Sequence, residues 1–445
     1  MTADGKAAST RPWPRAAYGY YVTGVLLLAY TLSYVDRQIL SLMVEPVKRD
    51  LQLTDTQISL LHGFAFAIFY TLVGLVLGRL ADRCNRRSLI IAGIAVWCLA
   101  TAACGFADSL GALFLARMVV GIGEASLSPA AYSMLADYFQ PERRGRAMGL
   151  YSLGVYLGSG LAFIVGGLVI AATKDAGPVV LSGLGIFKPW QLAFIIVALP
   201  GLLVVPLMLT VREPVRRELA GSESGFRHFV ERRAFYAPAI LGYAVLAIVT
   251  FAYTAWLPTS FIRLWNWSPK EIGIAYGSIM LIFGSGGMIL AGMIADRLAI
   301  GGRRDAHLWL SVIGTVAAIP FALAAGLVTS PYAALALVGV TSFCISMSIA
   351  LAPAALQSVT PNGLRGQMTA LYLLLINLVG MGCGPTLVAL CTDYGFGDEL
   401  AVRNSVTIVT VCAATASAAL LALALKPYRR LITRARAQDS AAETA

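Results

Sequence analysis

Long apolar runs alternate with short polar segments along almost the whole chain. A run of roughly 20 apolar residues crosses a hydrocarbon core of about 30 Å as an α-helix. Several runs contain glycine or proline, which membrane helices tolerate where neighbouring helices cover the freed backbone groups. The pattern predicts twelve transmembrane helices, at residues 17–44, 57–77, 88–107, 111–135, 146–172, 190–211, 237–261, 271–295, 307–328, 332–357, 366–391 and 403–425.

The polar segment between the second and third runs is repeated later in the chain. GRLADRCNRR, residues 78–87, has a related copy in GMIADR, residues 292–297. Asp82 and Asp296 are separated by about half of the 445-residue chain, so the duplication covers the whole chain and is not a local tandem copy. Two homologous halves in a bilayer predict a transporter made of two six-helix bundles.

The helices and the charged segments divide the chain into five regions. The two bundles are predicted at 17–211 and 237–425. A cytoplasmic leader, 1–16, precedes them and a basic cytoplasmic tail, 426–445, follows them. Residues 212–236 mix both charge signs with flexible residues and are predicted to form a cytoplasmic linker between the bundles.

The last part of this linker, residues 226–235, is compatible with two states. It could lie on the inner leaflet as a short amphipathic helix, or it could remain a solvated tether. In either state we expect His228 to be solvated and not functional.

Composition and charge support a membrane protein. Hydrophobic residues make up 58% of the chain, charged residues 13%, and the mean hydropathy is +0.75, which is too apolar for a soluble domain of this length. About three quarters of the 34 Lys and Arg residues fall on one side of the predicted topology, and the positive-inside rule makes that side, with both termini, cytoplasmic. This topology and contact with anionic lipid headgroups explain the net charge of +11, so no nucleic-acid partner is expected.

Four ionisable residues stand inside predicted helices, Asp36 and Arg37 in helix 1 and Arg117 and Glu124 in helix 4. A charge at that depth costs on the order of 2.5 to 3.5 kcal/mol and is expected to face protein or a water-filled cavity. Arg117, Gly121 and Glu124 share one face of helix 4. Asp36 lies about 100° round helix 1 from Arg37, so either residue could point at the cavity.

Two interpretations of these charges remain open. Two acids and two arginines balance if all are ionised, so the cluster could simply hold helices 1 and 4 together. Alternatively, the proton affinity of a carboxylate in a low-dielectric cavity depends on the distance to a nearby arginine. If cavity opening changes the distance between Glu124 and Arg117, the site takes up a proton in one state and releases it in the other. We favour this second interpretation.

The second half has no counterpart to this cluster, and offers aromatic residues among aliphatic ones instead. A cavity with one charged wall and one apolar or aromatic wall suits an amphipathic substrate whose head meets helices 1 and 4. Each aromatic residue could equally be a packing or lipid-facing residue. The candidate substrate-binding residues are Ser33, Tyr34 and Arg37 in the first half and Tyr253, Trp256 and Asn377 in the second.

Glycines concentrate in helices 5, 8 and 11. Examples are Gly154 and Gly158 in helix 5, Gly273 and Gly277 in helix 8, and Gly380 in helix 11. Small residues allow close helix contact in lipid. Each could serve static packing, but their concentration predicts an interface at which the two halves slide.

Three motifs resemble the major facilitator superfamily over essentially the whole chain. The segment 78–87 is similar to the signature loop between helices 2 and 3, with Asn85 where glycine is common. Arg117, Gly121 and Gly123 resemble the helix 4 signature, and PERRGRA at 141–147 resembles the loop that follows it. The resemblance implies an all-α membrane fold with twelve helices in two pseudo-symmetric bundles. It also implies a latch on the cytoplasmic side, with gating residues Gly78, Asp82, Arg83, Arg86, Arg87 and Arg144 and a weaker echo at Asp296 and Arg297.

Within that superfamily, the chain resembles the spinster-type lipid transporters, whose members move sphingosine-1-phosphate or lysophospholipids. The resemblance rests on YVDRQILSL at 34–42 and GIGEASLSPAAYSMLADYF at 121–139, and the short loops and tails look bacterial. It implies proton-linked transport, with Asp36 and Glu124 as proton-handling acids and Arg117 as their switching partner. A similar helix 1 sequence occurs among organic-anion symporters of the same superfamily, and that resemblance implies that Arg37 would bind a carboxylate.

These observations predict alternating-access, proton-coupled transport of an anionic, lysolipid-like molecule across a bacterial inner membrane. The alternatives are a proton-coupled organic-acid symporter and a non-transporting lipid receptor or scaffold on the same fold. An enzyme is not expected, because the three histidines are scattered and no nucleophile elbow or phosphate loop occurs. We expect a monomer surrounded by lipid, with protons as the coupling ion and without cofactor or metal.

Overall fold

The computed structural model describes residues 13–81, 83–176, 178–181, 185–216, 225–361 and 364–443. Twelve long helices follow one another along these residues. They are helix 1 Ala16–Leu42, helix 2 Asp55–Ala81, helix 3 Arg86–Cys104, helix 4 Leu110–Tyr138, helix 5 Arg143–Lys174, helix 6 Pro189–Thr210, helix 7 Arg233–Trp265, helix 8 Pro269–Ile300, helix 9 Ala306–Leu327, helix 10 Pro331–Gln357, helix 11 Arg365–Phe396 and helix 12 Val402–Glu443.

Every predicted span is a helix in the structure. In the part of the chain that is described, eleven helices are long and apolar enough to cross a membrane. Helix 1, with 27 residues and about 40 Å of length, is long enough but less apolar, because tyrosines, serines and the Asp36 and Arg37 pair interrupt its apolar run. The least apolar helix is therefore the one that carries half of the predicted charge cluster.

Most helix ends lie a few residues from the predicted ones, and those of helices 1 and 12 have a clear physical cause. Helix 1 ends at Leu42, and a separate short helix, Val44–Leu51, follows, because Pro46 lacks the N–H that would continue the helical ladder. Helix 12 does not end near residue 425 but runs on to Glu443. The extension is held because Tyr428 and Ile432 are buried in the core of the C-terminal helices.

The contacts divide the chain into two units. The first holds helices 1–6 together with Asn266–Ser278, and the second holds helix 7, helix 8 from Ile279, and helices 9–12. In the first unit, helix 1 packs on helix 5, helix 2 on helix 4, and helix 3 on helices 4 and 6. In the second, helix 7 packs on helix 11, helix 8 on helix 10, and helix 9 on helices 10 and 12. The packing pattern repeats with a shift of six helices, as a duplicated chain predicts.

Most of the glycines singled out for sliding lie inside one unit. Gly154 and Gly158 of helix 5 pack against helix 1, where an added Cβ would lie 2.9 Å from Tyr30 and 2.6 Å from Tyr34. Gly380 of helix 11 packs against helix 7 in the same way. These three glycines therefore allow close packing within a bundle, and sliding between the halves stays a prediction.

The linker contains a short helix, Gly225–Glu231, which the sequence allowed as one of two states. His228 on this helix is buried, so the expectation that it is solvated is wrong. Its Nε2 lies 3.0 Å from the hydroxyl of Tyr236 on helix 7. That hydroxyl lies 2.7 Å from Oγ1 of Thr360, and this hydrogen-bond chain satisfies the buried ring.

Candidate functional site

Helices 1, 2 and 4 meet around the four charges in the first unit. Helix 4 brings Arg117 and Glu124 to one face, as their spacing predicts. Gly121 lies between them, and a Cβ there would be 2.9 Å from the backbone oxygen of Phe66 on helix 2. Glycine at this position therefore allows helix 2 to approach the charges. We call Asp36, Arg37, Arg117 and Glu124 the central cluster.

Arg37 and Glu124 form a buried ion pair between helices 1 and 4. Nη2 of Arg37 donates to Oε2 of Glu124, and both side chains are almost fully shielded from solvent. An ion pair in such surroundings loses the hydration of both charges and depends on good hydrogen-bond geometry to compensate. Breaking it by moving one helix would leave a buried charge unpaired.

Arg117 bonds to the backbone of helix 1 and not to an acid. Its Nη1 donates to the carbonyl oxygen of Asp36 at 3.1 Å, and its Nη2 to that of Arg37 at 3.4 Å. A carbonyl oxygen has two lone pairs and can accept a second bond inside a helix. Arg117 thus fixes the position of the segment of helix 1 that carries the two charges, and the structure pairs Glu124 with Arg37 instead.

Asp36 and Arg37 point to different neighbours. The carboxylate of Asp36 lies beside Thr101 of helix 3 and is influenced by the charges of Arg117 and Glu124. Within the described residues it forms no ion pair. Arg37 instead lies between helices 2 and 4. These contacts place Asp36 against helix 3 and Arg37 against helices 2 and 4.

Aromatic rings surround the guanidinium of Arg37. Its Cζ lies 4.6 Å from the ring centroid of Tyr34, 4.5 Å from that of Phe66 and 5.2 Å from that of Tyr70. Cations within about 6 Å of an aromatic face are attracted by its electron density, most strongly where water is excluded. Sequence reasoning missed Phe66 and Tyr70, because their i, i+4 spacing places them on one face of helix 2 but does not distinguish them from the other apolar residues of the run.

More tyrosines continue this surface across helices 1, 4 and 5. The ring of Tyr30 stacks on that of Tyr151 at 4.7 Å, and Tyr132 meets Tyr151 edge-on at 5.1 Å. The hydroxyl of Tyr132 lies 3.0 Å from Oγ of Ser152. The surface next to Arg37 therefore combines apolar ring area with hydroxyl groups.

Three buried atoms of the central cluster have no hydrogen-bond partner among the described residues: Nε of Arg37, Nε of Arg117 and Oε1 of Glu124. Buried polar atoms are nearly always bonded, so such exceptions mark sites where another group can bind. An unbonded carboxylate oxygen is a ready acceptor for a proton. Groups of three or more His, Cys, Asp or Glu that could hold a metal ion do not occur in the described part of the chain.

The predicted substrate-binding residues are divided between the two units. In the first, Tyr34 lies against Arg37, and Oγ of Ser33 donates to the carbonyl of Tyr30 at 2.9 Å. In the second, Trp256 is buried and its indole N–H donates to the carbonyl of Pro385 at 2.9 Å. Tyr253 lines a small cavity between helices 7, 9, 10 and 12, and Asn377 donates to the carbonyl of Leu373 in its own helix.

Among the predicted gating residues, Arg86 has the most extensive hydrogen bonding that the structure describes. Its Nε donates to Glu213 at 2.7 Å, its Nη1 to Asp137 at 2.5 Å and to Ser133 at 2.8 Å, and its Nη2 to the carbonyl of Pro214 at 3.0 Å. These contacts join the start of helix 3, the end of helix 4 and the segment after helix 6. We call Arg86, Asp137 and Glu213 the loop network.

The other predicted gating residues surround this network or lie on the surface. The backbone N–H of Arg87 donates to Glu213 at 2.9 Å, so the same carboxylate also holds the first turn of helix 3. Arg83, Asp296 and Arg297 are exposed, whereas Gly78 and Arg144 are partly buried. Asp82 lies outside the described residues.

Comparison with known proteins gives consistent matches. The family model described as Major Facilitator Superfamily matches residues 26–385. An "MFS-type efflux pump" of Mycolicibacterium smegmatis is 30% identical over 394 residues, covering 86% of each chain. A "Probable L-galactonate transporter" of Escherichia coli is 26% identical, covering 73% of this chain and 72% of its own. A solved structure of a bacterial homologue of the human lysosomal transporter spinster is 25% identical, covers 94% of this chain and 98% of its own, and superposes with a TM-score of 0.77.

Proposed function

Because the chain belongs to the Major Facilitator Superfamily, we propose that it couples proton movement to the transport of an anionic, lysolipid-like amphiphile by alternating access. The family and the relatives make it a multi-pass transporter of the cell membrane with the twelve-helix, two-bundle fold of that family, and not an enzyme. The coupling ion, the substrate and a monomeric state are the proposed part.

One observation carries the proton coupling: Glu124 pairs with Arg37 through one oxygen, while its other oxygen has no hydrogen-bond partner in the described part of the chain. An ionised Glu124 neutralises Arg37. A proton on Glu124 removes that neutralisation and leaves Arg37 as a cation in a low-dielectric site, where it attracts another anion. The carboxylate and a substrate anion therefore compete for Arg37, and a proton on Glu124 favours the substrate.

The surroundings of Arg37 support an amphipathic substrate. Tyr34 lies at the cation, and the partly buried Tyr30 and Tyr132 continue from it as ring area with hydroxyls, which suits a molecule with an anionic head and an apolar body. The similarity to the bacterial spinster homologue extends over nearly the whole chain. The sequence resemblance to spinster-type lipid transporters favours lysolipids as the class of substrate.

A second candidate is an organic-acid symporter. It uses the same competition at Arg37, because a small carboxylate presents the same charge as a lipid headgroup. The relative named as an L-galactonate transporter favours it, since it is similar across about three quarters of this chain.

Transport by purified protein in liposomes with an imposed pH gradient tests both candidates. We expect the uptake of a labelled lysophospholipid to follow the gradient, and Glu124→Gln and Asp36→Asn to lose this dependence. Asp55→Asn is the matched control, because Asp55 is a buried acid of the same unit that pairs with Lys48 outside the cluster, at 2.6 Å.

Each result assigns one of the functions. If both central variants transport as well as the parent at every gradient, coupling through these acids is wrong. Competition by sugar acids but not by lysolipids selects the organic-acid symporter. Saturable binding without counterflow identifies a receptor. Counterflow is measured in both directions, so that the assay also detects export, the activity in the name of the relative called an efflux pump.

A further inference from the structure

The ring of Phe66 lies next to both arginines of the central cluster. Its centroid is 4.5 Å from Cζ of Arg37 and 5.8 Å from Cζ of Arg117, and the side chain is fully buried. Each arginine has an Nε–H that lacks a hydrogen-bond partner among the described residues. One apolar side chain is thus shared by two buried cations whose hydrogen bonding is incomplete.

An aromatic face can take the place of a missing acceptor. The ring quadrupole is negative on its faces and attracts a guanidinium within about 6 Å, and this attraction is strongest where water is excluded. A leucine or methionine at the same position would fill similar space without this charge distribution. The aromatic character of Phe66 therefore matters here in addition to its volume.

We propose that Phe66 is a positioning residue for proton coupling, which holds Arg37 and Arg117 in place while Glu124 carries a proton. This inference rests on the proposed function. When Glu124 is ionised, its carboxylate holds Arg37. When Glu124 is protonated, that attraction is lost, but the attraction of an uncharged ring is unchanged. The ring thus matters more in the protonated state than in the ionised one.

The local structure holds the ring in this position. A π-helical turn, Leu60–Phe64, precedes it in helix 2, and π-helical turns are frequent at functional sites. Gly121 lets the backbone of Phe66 approach helix 4. Tyr70, one turn further along, stacks on the ring at 5.3 Å. These contacts leave the ring little freedom to move away from the arginines.

The pH dependence of transport is a suitable measure of this role. Besides the two arginines and Glu124, the titratable groups that interact with the central cluster are Tyr34 and Asp36 on helix 1, His62 and Tyr70 on helix 2, and Cys98 and Cys104 on helix 3. Asp36 and Glu124 are the acids among them. Losing the ring destabilises the cluster most when Glu124 is protonated, so protonation then requires a lower pH.

The test measures uptake against pH for Phe66→Leu and Phe66→Met in liposomes. We expect the midpoint of the pH–rate profile to move to lower pH by about one unit in both variants. Phe66→Tyr keeps the ring and should stay near the parent profile. Phe163→Leu is the matched control, because Phe163 is an equally buried ring that contacts Tyr276 at 4.8 Å and, among the residues that the structure describes, has no arginine over its face.

Three results would overturn the inference. An unchanged midpoint in either folded variant without a ring shows that the aromatic face is unimportant. An equal shift in Phe163→Leu assigns the effect to general packing. A parent protein whose transport is independent of pH refutes the proposed function itself, and Phe66 then has no coupling to support. Thermal unfolding of each variant confirms that the profiles are compared between folded proteins.

Discussion

Two buried arginines of the first unit have contrasting environments. In the loop network, Arg86 donates from Nε, Nη1 and Nη2 to four different groups, including two carboxylates. In the central cluster, Arg37 has one acidic partner, and its Nε and one oxygen of that partner are unbonded. Both are buried ion pairs, but only one of them has satisfied hydrogen bonds throughout.

The contrast separates a structural role from a switching role. A polar network whose members are all bonded has one favourable arrangement and makes the parts that it joins rigid. A cluster with unused donors and acceptors can accept a proton or a ligand without first breaking every bond. The loop network therefore fits a rigid joint inside the first unit, and the central cluster fits a site that changes during transport.

The largest expected effect is on stability, from Arg86→Leu. This change leaves Asp137 and Glu213 without their shared cation, and removing one partner of a buried ion pair costs about 3–5 kcal/mol. Thermal unfolding in detergent should show a large loss. Arg83→Leu, a matched change at an exposed position of the same loop, should unfold like the parent. Similar unfolding of the two variants would contradict the structural role of the network.

Replacing one acid in each region should change the stability less. The two variants are Asp137→Asn in the loop network and Glu124→Gln in the central cluster. Asp137→Asn weakens a charged hydrogen bond and should reduce the free energy of unfolding by about 1.5–3 kcal/mol. Glu124→Gln keeps an oxygen that can accept from Arg37, whose charge the rings of Tyr34, Phe66 and Tyr70 continue to stabilise. It also removes the cost of burying a carboxylate, so we expect a change within about 1 kcal/mol.

The effects of these two variants on the pH dependence of transport should be in the opposite order. Asp137→Asn should keep the pH dependence of the parent in the folded fraction, whereas Glu124→Gln should lose it. Uptake measured per folded protein, together with thermal unfolding, gives both quantities. If Glu124→Gln unfolds as early as Asp137→Asn and still transports with the parent's pH dependence, the two regions do not differ in the way described.

The sequence predicted the elements of this comparison but not their pairing. The twelve helices followed from apolar runs, because lipid forces every backbone group to be bonded within a helix. The meeting of four charges followed from the cost of an unpaired charge in a membrane. The choice of Arg37 and not Arg117 as the partner of Glu124 depends on how helices 1 and 4 rotate against each other, which the spacing within one helix does not fix.

Other parts of the site were hidden by their surroundings. Phe66 and Tyr70 lie in an apolar run, where an aromatic residue gives no contrast, and their role depends on the approach of helix 2 at Gly121. Glu213 lies in a linker that mixes both charge signs, so nothing distinguished it from solvated neighbours. Its partner Arg86 was predicted to gate, and the structure adds its bonds to Glu213 and Asp137 of the same unit; the gating role stays a prediction.

The second unit has an ion pair at the place equivalent to the loop network, with the acid and the arginine exchanged between the two positions. Arg429 in the C-terminal part of helix 12 pairs with Asp305 at the start of helix 9, at 2.7 Å, as Glu213 after helix 6 pairs with Arg86 at the start of helix 3. This ion pair is less buried than that of the loop network, because the side chain of Arg429 is 56% exposed. Asp305 also has a second cation, Arg303, at 3.3 Å.

The smallest expected effect is therefore that of Arg429→Ala. Water screens the exposed guanidinium, and Arg303 remains beside the carboxylate after the change, so the free energy of unfolding should fall by less than about 1 kcal/mol. Raising the salt concentration should shrink the difference from the parent further. The measurement is thermal unfolding at low and high salt. A loss as large as that of Arg86→Leu would mean that the duplicated contact, and not its burial and complete bonding, determines the stability of each unit.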